Sequence, residues 1–280
     1  GYYGLAVPAV LGEAFCVLRG EQMTEKERLA STCQGGMTGL GDDFFDRQRL
    51  SEQGVKDFIE KPEVFAGNTA SEKLFLNFYK TALANAPKPA QMQQQIYKVF
   101  QAQLLSKQQD VPGLSTEMIK DITIRKGAES LLYYRTAFNH PPRNGEEKML
   151  YCLGGLMQLS NDIFDVYKDY KEGVNTLVTT TSSIKELRFY YSAVLQMGTE
   201  TAFRSAYSTR NVRKFLGIIS IGIFSRCLVC LDQLEKLEKR SGGVFKLSEY
   251  SRKDLICDMD NIGNKFKSLG YHIKLSRRLK

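Results

Sequence analysis

The chain has 280 residues, 42% of them hydrophobic and 25% charged, which is an ordinary composition for a globular protein with one large core. Its formal net charge is +8, but the basic residues are spread along the chain and do not form the cluster that a nucleic-acid site requires. Only the last few residues form a basic run, which consists of Lys274, Arg277, Arg278 and Lys280. We therefore expect no nucleic-acid binding. An anionic small molecule or a loose contact with a membrane surface would account for the charge equally well.

The cysteines and histidines limit the chemistry that the chain can perform. Six cysteines lie mostly far apart in apolar surroundings, as is typical of reduced core thiols in a cytoplasmic protein. Cys227 and Cys230 form a CxxC inside an apolar run, where we favour core packing over redox chemistry. Only two histidines are present, which excludes multi-histidine metal sites. The longest apolar run, 215–224, is too short to span a bilayer.

Helix signals follow one another along the chain. Thr24, Thr69 and Ser183 each precede a glutamate by three residues, and these capping boxes predict three helix starts. Further helices are expected over 91–109, 115–138, 144–173, 210–240 and 251–268. Strand alternation is nearly absent. The sequence therefore predicts a single all-α domain over residues 1–280.

The first acidic motif, Gly-Asp-Asp-Phe-Phe-Asp at 41–46, ends a glycine-rich helix predicted over residues 24–50. Each glycine costs up to about 1 kcal/mol in a helix interior, so the glycines indicate a close approach to the backbone or a bend. Asp42 and Asp46 lie one turn apart on the same helix face, while Asp43 points elsewhere. Like charges at this spacing are unfavourable unless a cation bridges them.

The second acidic motif lies on the helix predicted over 144–173, which also carries a pair of adjacent glycines. Asn161, Asp165 and Asp169 recur every four residues and share one face, whereas Asp162 is expected to face solvent or a cap. Oxygen ligands without histidine or cysteine suit a hard cation such as Mg²⁺. Each motif alone could equally be a solvated helix face. The pair favours two stripes that face each other and hold a diphosphate through Mg²⁺.

The two motifs resemble those of a known family. Residues 42–46 match the DDxxD motif of class I isoprenoid synthases. The second motif resembles their NSE motif and, more closely, the NxxxDxxxD of the squalene- and phytoene-synthase-like branch, called class IB. The second motif follows about 115 residues after the first, as in the family. The segment 33–36, Cys-Gln-Gly-Gly, resembles bacterial class IB synthases. The resemblance covers the layout of residues 1–175, but only the two motifs are specific.

The resemblance implies a helical bundle around a central cavity, a prenyl diphosphate substrate, and three Mg²⁺ ions when diphosphate is bound. The metal ligands that it implies are Asp42, Asp43, Asp46, Asn161, Asp165 and Asp169. It also implies that basic residues contact the diphosphate. Lys168 matches the lysine that precedes the last NSE ligand. On the preceding helix, Arg125-Lys126-Gly127 resembles the basic residue and small residue that face the diphosphate in prenyl-chain enzymes. Arg47 follows the first motif directly. Each of these cations could instead be solvated.

Aromatic residues near the motifs are candidate walls of a cavity for a carbocation, because aromatic faces stabilise positive charge. These candidates are Phe44, Phe45, Tyr134, Phe138 and Phe164. Each could instead be an ordinary core residue.

Several functions fit these features, and a terpene cyclase fits them best because a true DDxxD precedes an asparagine-led second motif. A head-to-head synthase of the squalene or phytoene type is the first alternative. A head-to-tail prenyltransferase is the second, since Arg47-Gln48-Arg49 replaces the usual Arg-Arg-Gly. A helical protein that binds partners through a basic surface is the non-enzymatic alternative. A homodimer is compatible with the sequence.

Overall fold

A computed structural model of the chain describes residues 7–47 and 52–278, and the side chains of residues 42–47 and 52 lie outside the described part. Every regular element within these ranges is helical, so the predicted all-α class is confirmed. The α-helices are α1 Glu13–Arg19, α2 Glu25–Arg47, α3 Glu52–Glu60, α4 Ala70–Asn85, α5 Pro89–Ser106, α6 Thr116–Arg135, α7 Glu146–Phe164, α8 Val166–Glu172, α9 Leu177–Thr180, α10 Ile184–Phe203, α11 Thr209–Ile219, α12 Ser225–Arg240, α13 Arg252–Leu255 and α14 Ile262–Arg278.

The chain divides into two compact units. The first unit comprises residues 1–101 and 129–142, and the second comprises 102–128 and 143–280. Helices α5 and α6 each contribute residues to both units. A single domain over residues 1–280 stays a prediction.

The core of the first unit is built on α2, α3, α4 and α5. Helix α2 packs along α4, and the ring of Phe78 lies so close to Gly36 that a Cβ there would come within 2.7 Å of it. The aromatic rings of Phe58 and Tyr79 stack 5.6 Å apart in the centre. The Tyr79 hydroxyl donates a hydrogen bond to the carbonyl of Ile59 at 2.9 Å, so its polar atom is satisfied inside the core. Gly36 therefore serves helix packing.

A buried ion pair stabilises the start of α2. The Arg19 guanidinium donates hydrogen bonds to both carboxylate oxygens of Glu27, one of them at 2.7 Å, and both side chains are only 3% exposed. Glu27 also accepts hydrogen bonds from the backbone amides of Thr24 and Asn139 at 2.8 and 2.7 Å. Thr24 completes the predicted capping box by accepting from the Glu27 amide. The glutamate that caps the helix therefore also neutralises a buried arginine.

The second unit centres on α7. Helix α10 packs along α7, and the hydroxyls of Ser160 and Tyr191 lie 3.0 Å apart in their buried contact. The residues of α6 that belong to this unit cross α7 at Gly127 and Gly154, where the backbones approach so closely that a Cβ on either glycine would overlap the other. The predicted close approach to a glycine pair is therefore a helix–helix contact.

The longest helical stretch of the second unit runs without interruption through α11, a π-helical turn at Ser220–Phe224, and α12. It covers the 32 residues Thr209–Arg240, and it is the one described helix long and apolar enough to cross a membrane by length and composition alone. The helix predicted over 210–240 is therefore confirmed, and the apolar run 215–224 lies within it. Its most apolar window is 61% buried inside the protein, as in a core helix.

All six cysteines are free thiols, and five of them are buried. Cys227 and Cys230 are fully buried in α12. Burial raises the pKa of the Cys227 thiol to about 12. This environment agrees with the interpretation of the CxxC as core.

Candidate metal and diphosphate site

The first acidic motif lies at the C-terminal end of α2. The helical backbone extends to Arg47, so Asp42 and Asp46 are one turn apart on a helix, as predicted. The side chains of residues 42–47, which are five motif residues and the following arginine, lie outside the described part of the chain, and their predicted roles stay predictions. These residues are Asp42, Asp43, Phe44, Phe45, Asp46 and Arg47.

The second motif lies across the junction of α7 and α8. The sequence predicts one helix from Asn144 to Gly173, but the structure ends α7 at Phe164 and starts α8 at Val166, with Asp165 between them at φ −89° and ψ 10°. The hydrogen bonds nevertheless continue through the junction. The Asp165 amide donates to the Asn161 carbonyl and the Asp169 amide donates to the Asp165 carbonyl, both at 2.9 Å. The four-residue spacing therefore keeps these residues in one row.

The predicted ends of this helix are partly confirmed. Gly173 terminates α8 in the left-handed region at φ 73°, which only glycine adopts without strain. At the other end, Gly145 at φ 80° precedes α7, and no side chain caps the helix there. The helix predicted from residue 144 therefore begins two residues later, at Glu146.

The second acidic stripe, which we define as Asn161, Asp165 and Asp169, is half-exposed. Asn161 is exposed and its amide donates a hydrogen bond to the Asp165 carboxylate at 3.2 Å. Burial raises the pKa of Asp165, against the opposing charge of Lys168. Burial and then the charges of Asp162 and Asp165 raise the pKa of Asp169 to about 7. The carboxylates are thus close enough to repel one another, and Lys168 compensates only in part.

Asp162 corrects the sequence analysis, which expected it to face solvent or a cap. It is 5% exposed and accepts hydrogen bonds from Gln158 at 2.8 Å and from the Thr123 hydroxyl at 3.2 Å. Burial raises its pKa to about 6, although both hydrogen bonds and the charge of Lys126 lower it. Asp162 is therefore part of the acidic cluster, behind the stripe.

The glycine contact explains how α6 brings polar residues to this cluster. With Gly127 pressed against Gly154, the α6 residues one turn earlier lie over the last turns of α7. The spacing 155, 158, 162 on α7 puts Asp162 on the same face as the glycine pair. That spacing is the signal from which the inward position of Asp162 could have been predicted.

The structure brings two of the four predicted diphosphate-binding residues to the acids. Lys126 on α6 is half-buried and acts electrostatically on Asp162. Lys168 on α8 is exposed and acts on Asp165 and Asp169. Arg125 is exposed on α6, and no described contact joins it to the acids.

The three aromatic candidates with described side chains lie in different surroundings. Phe164 is half-buried at the end of α7, directly before Asp165. Tyr134 and Phe138 belong to the first unit. The Tyr134 hydroxyl lies 2.6 Å from that of Thr38, and the Phe138 ring packs 5.2 Å from the ring of Phe15 in the core. Their role as cavity walls stays a prediction.

The donor chemistry of the second stripe fits a hard divalent cation. An amide oxygen and two carboxylates are available, and a cation there would relieve the repulsion between the acids. Among the described side chains, no group of three or more histidines, cysteines, aspartates or glutamates is placed to hold a metal ion. Mg²⁺ held by one or two carboxylates normally completes its shell with water and substrate phosphates, so an open stripe is compatible with it.

Comparison of the chain with protein-family models, with curated proteins and with solved structures finds no match.

Proposed function

We propose that this chain is a Mg²⁺-dependent terpene synthase that ionises a linear prenyl diphosphate and cyclises the resulting cation. The observation that carries the proposal is the second acidic stripe, in which Asn161, Asp165 and Asp169 follow one another along continuous helical hydrogen bonds. The helical DDxxD segment at the end of α2 and the all-α fold support the same proposal.

The residues of the stripe would bind the cation, and the nearby lysines would bind the diphosphate. Asn161, Asp165 and Asp169 supply oxygen ligands, while Lys168 and Lys126 supply positive charge beside them. Mg²⁺ would neutralise charge on the leaving diphosphate as the allylic C–O bond breaks. The two ammonium groups would stabilise the same developing charge. Asp162 would fix the orientation of this region through its bonds to Gln158 and Thr123.

A cytoplasmic location is part of the proposal, because all six cysteines are free thiols and five are buried.

The first experiment tests ligand binding without any assumption about the product. The melting temperature is measured with Mg²⁺ and inorganic diphosphate together, and with each alone. A ligand that binds only the folded state stabilises it by about 2.7 kcal/mol at one hundred times its dissociation constant. We expect a joint stabilisation that Asp169→Asn removes. Asp121→Asn, which neutralises an exposed acid on α6, is the matched control and should keep it. No joint stabilisation would favour the partner-binding alternative.

The second experiment identifies the reaction. The protein is incubated with Mg²⁺ and prenyl diphosphates of C10 to C25, and extracts are analysed by gas chromatography. A cyclase yields cyclic products with the carbon number of the substrate and shows simple saturation. Products of doubled carbon number would assign head-to-head coupling. Products lengthened by five carbons, formed only with isopentenyl diphosphate, would assign a head-to-tail prenyltransferase.

Phe164→Ala sharpens the cyclase assignment, since Phe164 directly precedes the stripe at the end of α7. If its ring lines the cavity, the change acts on the cation after diphosphate has left. The product mixture should then change more than the rate of diphosphate release. A variant with an unchanged mixture would remove Phe164 from the cavity.

A further inference from the structure

The C-terminal helix α14 exposes an apolar stripe. Its four members are Ile262, Phe266, Leu269 and Ile273, with exposed fractions of 70, 70, 45 and 43%. Their spacing of four, three and four residues puts them on one face of the helix. Exposed large hydrophobic residues are unremarkable one at a time, but a contiguous row of four marks an interaction surface.

The opposite face of α14, which packs on the protein, is polar except for the half-buried Leu275. Ser268 is buried and its hydroxyl lies 2.9 Å from that of Ser225. Tyr271 donates a hydrogen bond to Asp232 at 2.7 Å, and His272 lies 3.3 Å from the hydroxyl of Ser220. A helix of a globular protein normally turns its apolar face inward. Helix α14 does the reverse, so its apolar stripe is not accounted for by the packing of this unit.

The charges of α14 are of one sign. Residues 262–278 contain five lysines and arginines and no acidic residue, and those five are Lys265, Lys267, Lys274, Arg277 and Arg278. At 100° per residue, Lys265 lies on one side of the apolar stripe. Arg277, Lys274 and Lys267 follow on the other side. Lys265 forms an ion pair with Asp260 at 3.4 Å, which is exposed and therefore weak.

We propose that α14 docks on an anionic lipid surface, with the apolar stripe in the interface and the flanking cations on the headgroups. Long basic side chains extend from the edges of an apolar stripe to headgroups on both sides, as in helices that lie in the plane of a membrane. A second copy of the chain would bring two stripes of like charge together. This proposal is independent of the proposed enzymatic function.

The experiment is co-sedimentation with lipid vesicles. We expect the protein to bind vesicles of phosphatidylcholine with phosphatidylglycerol, to bind pure phosphatidylcholine vesicles at least tenfold more weakly, and to lose affinity as salt rises. The double variant Phe266→Ser with Ile273→Ser should weaken binding at least tenfold. Phe189→Ser is the matched control, because Phe189 is 79% exposed on α10, away from the stripe. It should bind as the parent does.

The contribution of the basic residues of α14 to vesicle binding is tested in the same assay. Lys267→Gln with Lys274→Gln should weaken binding by about 25-fold, since each cation near an anionic surface contributes about fivefold. Lys148→Gln, an exposed lysine on α7, should change the affinity little. Unchanged binding in both double variants would overturn the proposal.

The chain has no tryptophan, so a single introduced tryptophan reports the insertion of its position into the membrane by its fluorescence. Phe266→Trp should shift its emission to the blue on anionic vesicles, whereas Phe189→Trp should not. Two outcomes contradict the proposal. One is equal emission in water and on vesicles for Phe266→Trp. The other is a concentration-dependent dimer that Phe266→Ser dissociates, which would assign the stripe to a second copy.

Discussion

The buried Glu27 in the first unit and the half-buried acids of the second acidic stripe have opposite electrostatic surroundings. Glu27 in the first unit is 2% exposed and bonded to Arg19 and to two backbone amides. Burial alone would raise its pKa, but the bonds from Arg19, Thr24 and Asn139 outweigh burial and lower it to about 2. Asp169 in the second unit is half-buried beside Asp162 and Asp165, and its pKa is raised to about 7.

The difference shows how partners decide what an acid does for a protein. A carboxylate that receives a cation and several N–H donors stabilises the fold in its charged form. Carboxylates that face one another are destabilised in that form, and they gain from any cation that arrives. Glu27 is thus expected to support the fold, and the second acidic stripe is expected to support a ligand.

The largest expected effect is the loss of the buried ion pair. Glu27→Gln leaves the Arg19 charge buried without its partner and turns an amide group toward donors that need an acceptor. We expect it to lower the free energy of unfolding by about 3–5 kcal/mol, measured by urea denaturation. Glu21→Gln is the matched control, because Glu21 lies 3.7 Å from the same arginine but its side chain is 68% exposed. Its effect should stay below about 1 kcal/mol.

The same pair predicts a dependence on pH. Because the pKa of Glu27 is lowered in the folded state, its contribution is fully present above the ordinary value of 4.5 and is lost as pH falls toward about 2. Unfolding free energies measured from pH 6 to pH 2 should therefore fall more steeply for the parent than for Glu27→Gln. Parallel curves would show that Glu27 does not carry this term.

The next largest effect concerns catalysis. Asn161→Ala, Asp165→Ala and Asp42→Ala should each reduce diphosphate release from an allylic prenyl diphosphate by about a hundredfold or more, since each removes a ligand of the proposed cation. Their unfolding free energies should change little. Asp121→Ala controls for the loss of an exposed acid in the same unit and should keep full activity. Full activity in any of the three variants would remove that residue from the site.

Two glycine-to-alanine substitutions distinguish the effect of helix packing from that of helix propensity, one at the contact between α6 and α7 and one away from it. Gly127→Ala would force a Cβ into the backbone of Gly154 and should cost about 1–3 kcal/mol in unfolding free energy. It should also reduce activity, because it moves Lys126 relative to the stripe. Gly217→Ala in α11 adds a methyl group where no atom lies within 4 Å, and it should stabilise by up to about 1 kcal/mol. Equal changes in the unfolding free energy for the two variants would contradict the close contact between Gly127 and Gly154.

Local signals in the sequence predicted much of this fold. The boxes at Thr24 and Thr69 formed as expected, because capping depends on residues three apart. The helix end at Gly173 likewise follows from local backbone preference. The spacing 155, 158, 162 puts Asp162 on the face of the glycines, but its burial also depends on a second helix that covers this face and lies distant in the sequence.

The polar inner face of α14 was missed for the same reason. The helix predicted over 251–268 was wrong in its bounds, because the structure has α13 at Arg252–Leu255 and then α14 at Ile262–Arg278. Which face of α14 is covered depends on contacts with distant residues. The position of the first acidic motif relative to other residues likewise depends on such contacts and stays a prediction.

The smallest expected effect is also the most direct test of the comparison between Glu27 and the second acidic stripe. Asp169→Asn removes one of the carboxylates that repel one another, so without Mg²⁺ it should leave the unfolding free energy unchanged or raise it by about 0.2–0.5 kcal/mol. Differential scanning calorimetry at pH 8 measures this, with Asp121→Asn as the control for an isolated exposed acid. With Mg²⁺ and diphosphate the order should reverse, because the parent gains the ligand and the variant does not. A loss as large as that of Glu27→Gln, in the absence of Mg²⁺, would mean that Asp169 supports the fold in its charged form. The stripe would then be an ordinary structural feature, and the proposed cation site would have to be abandoned.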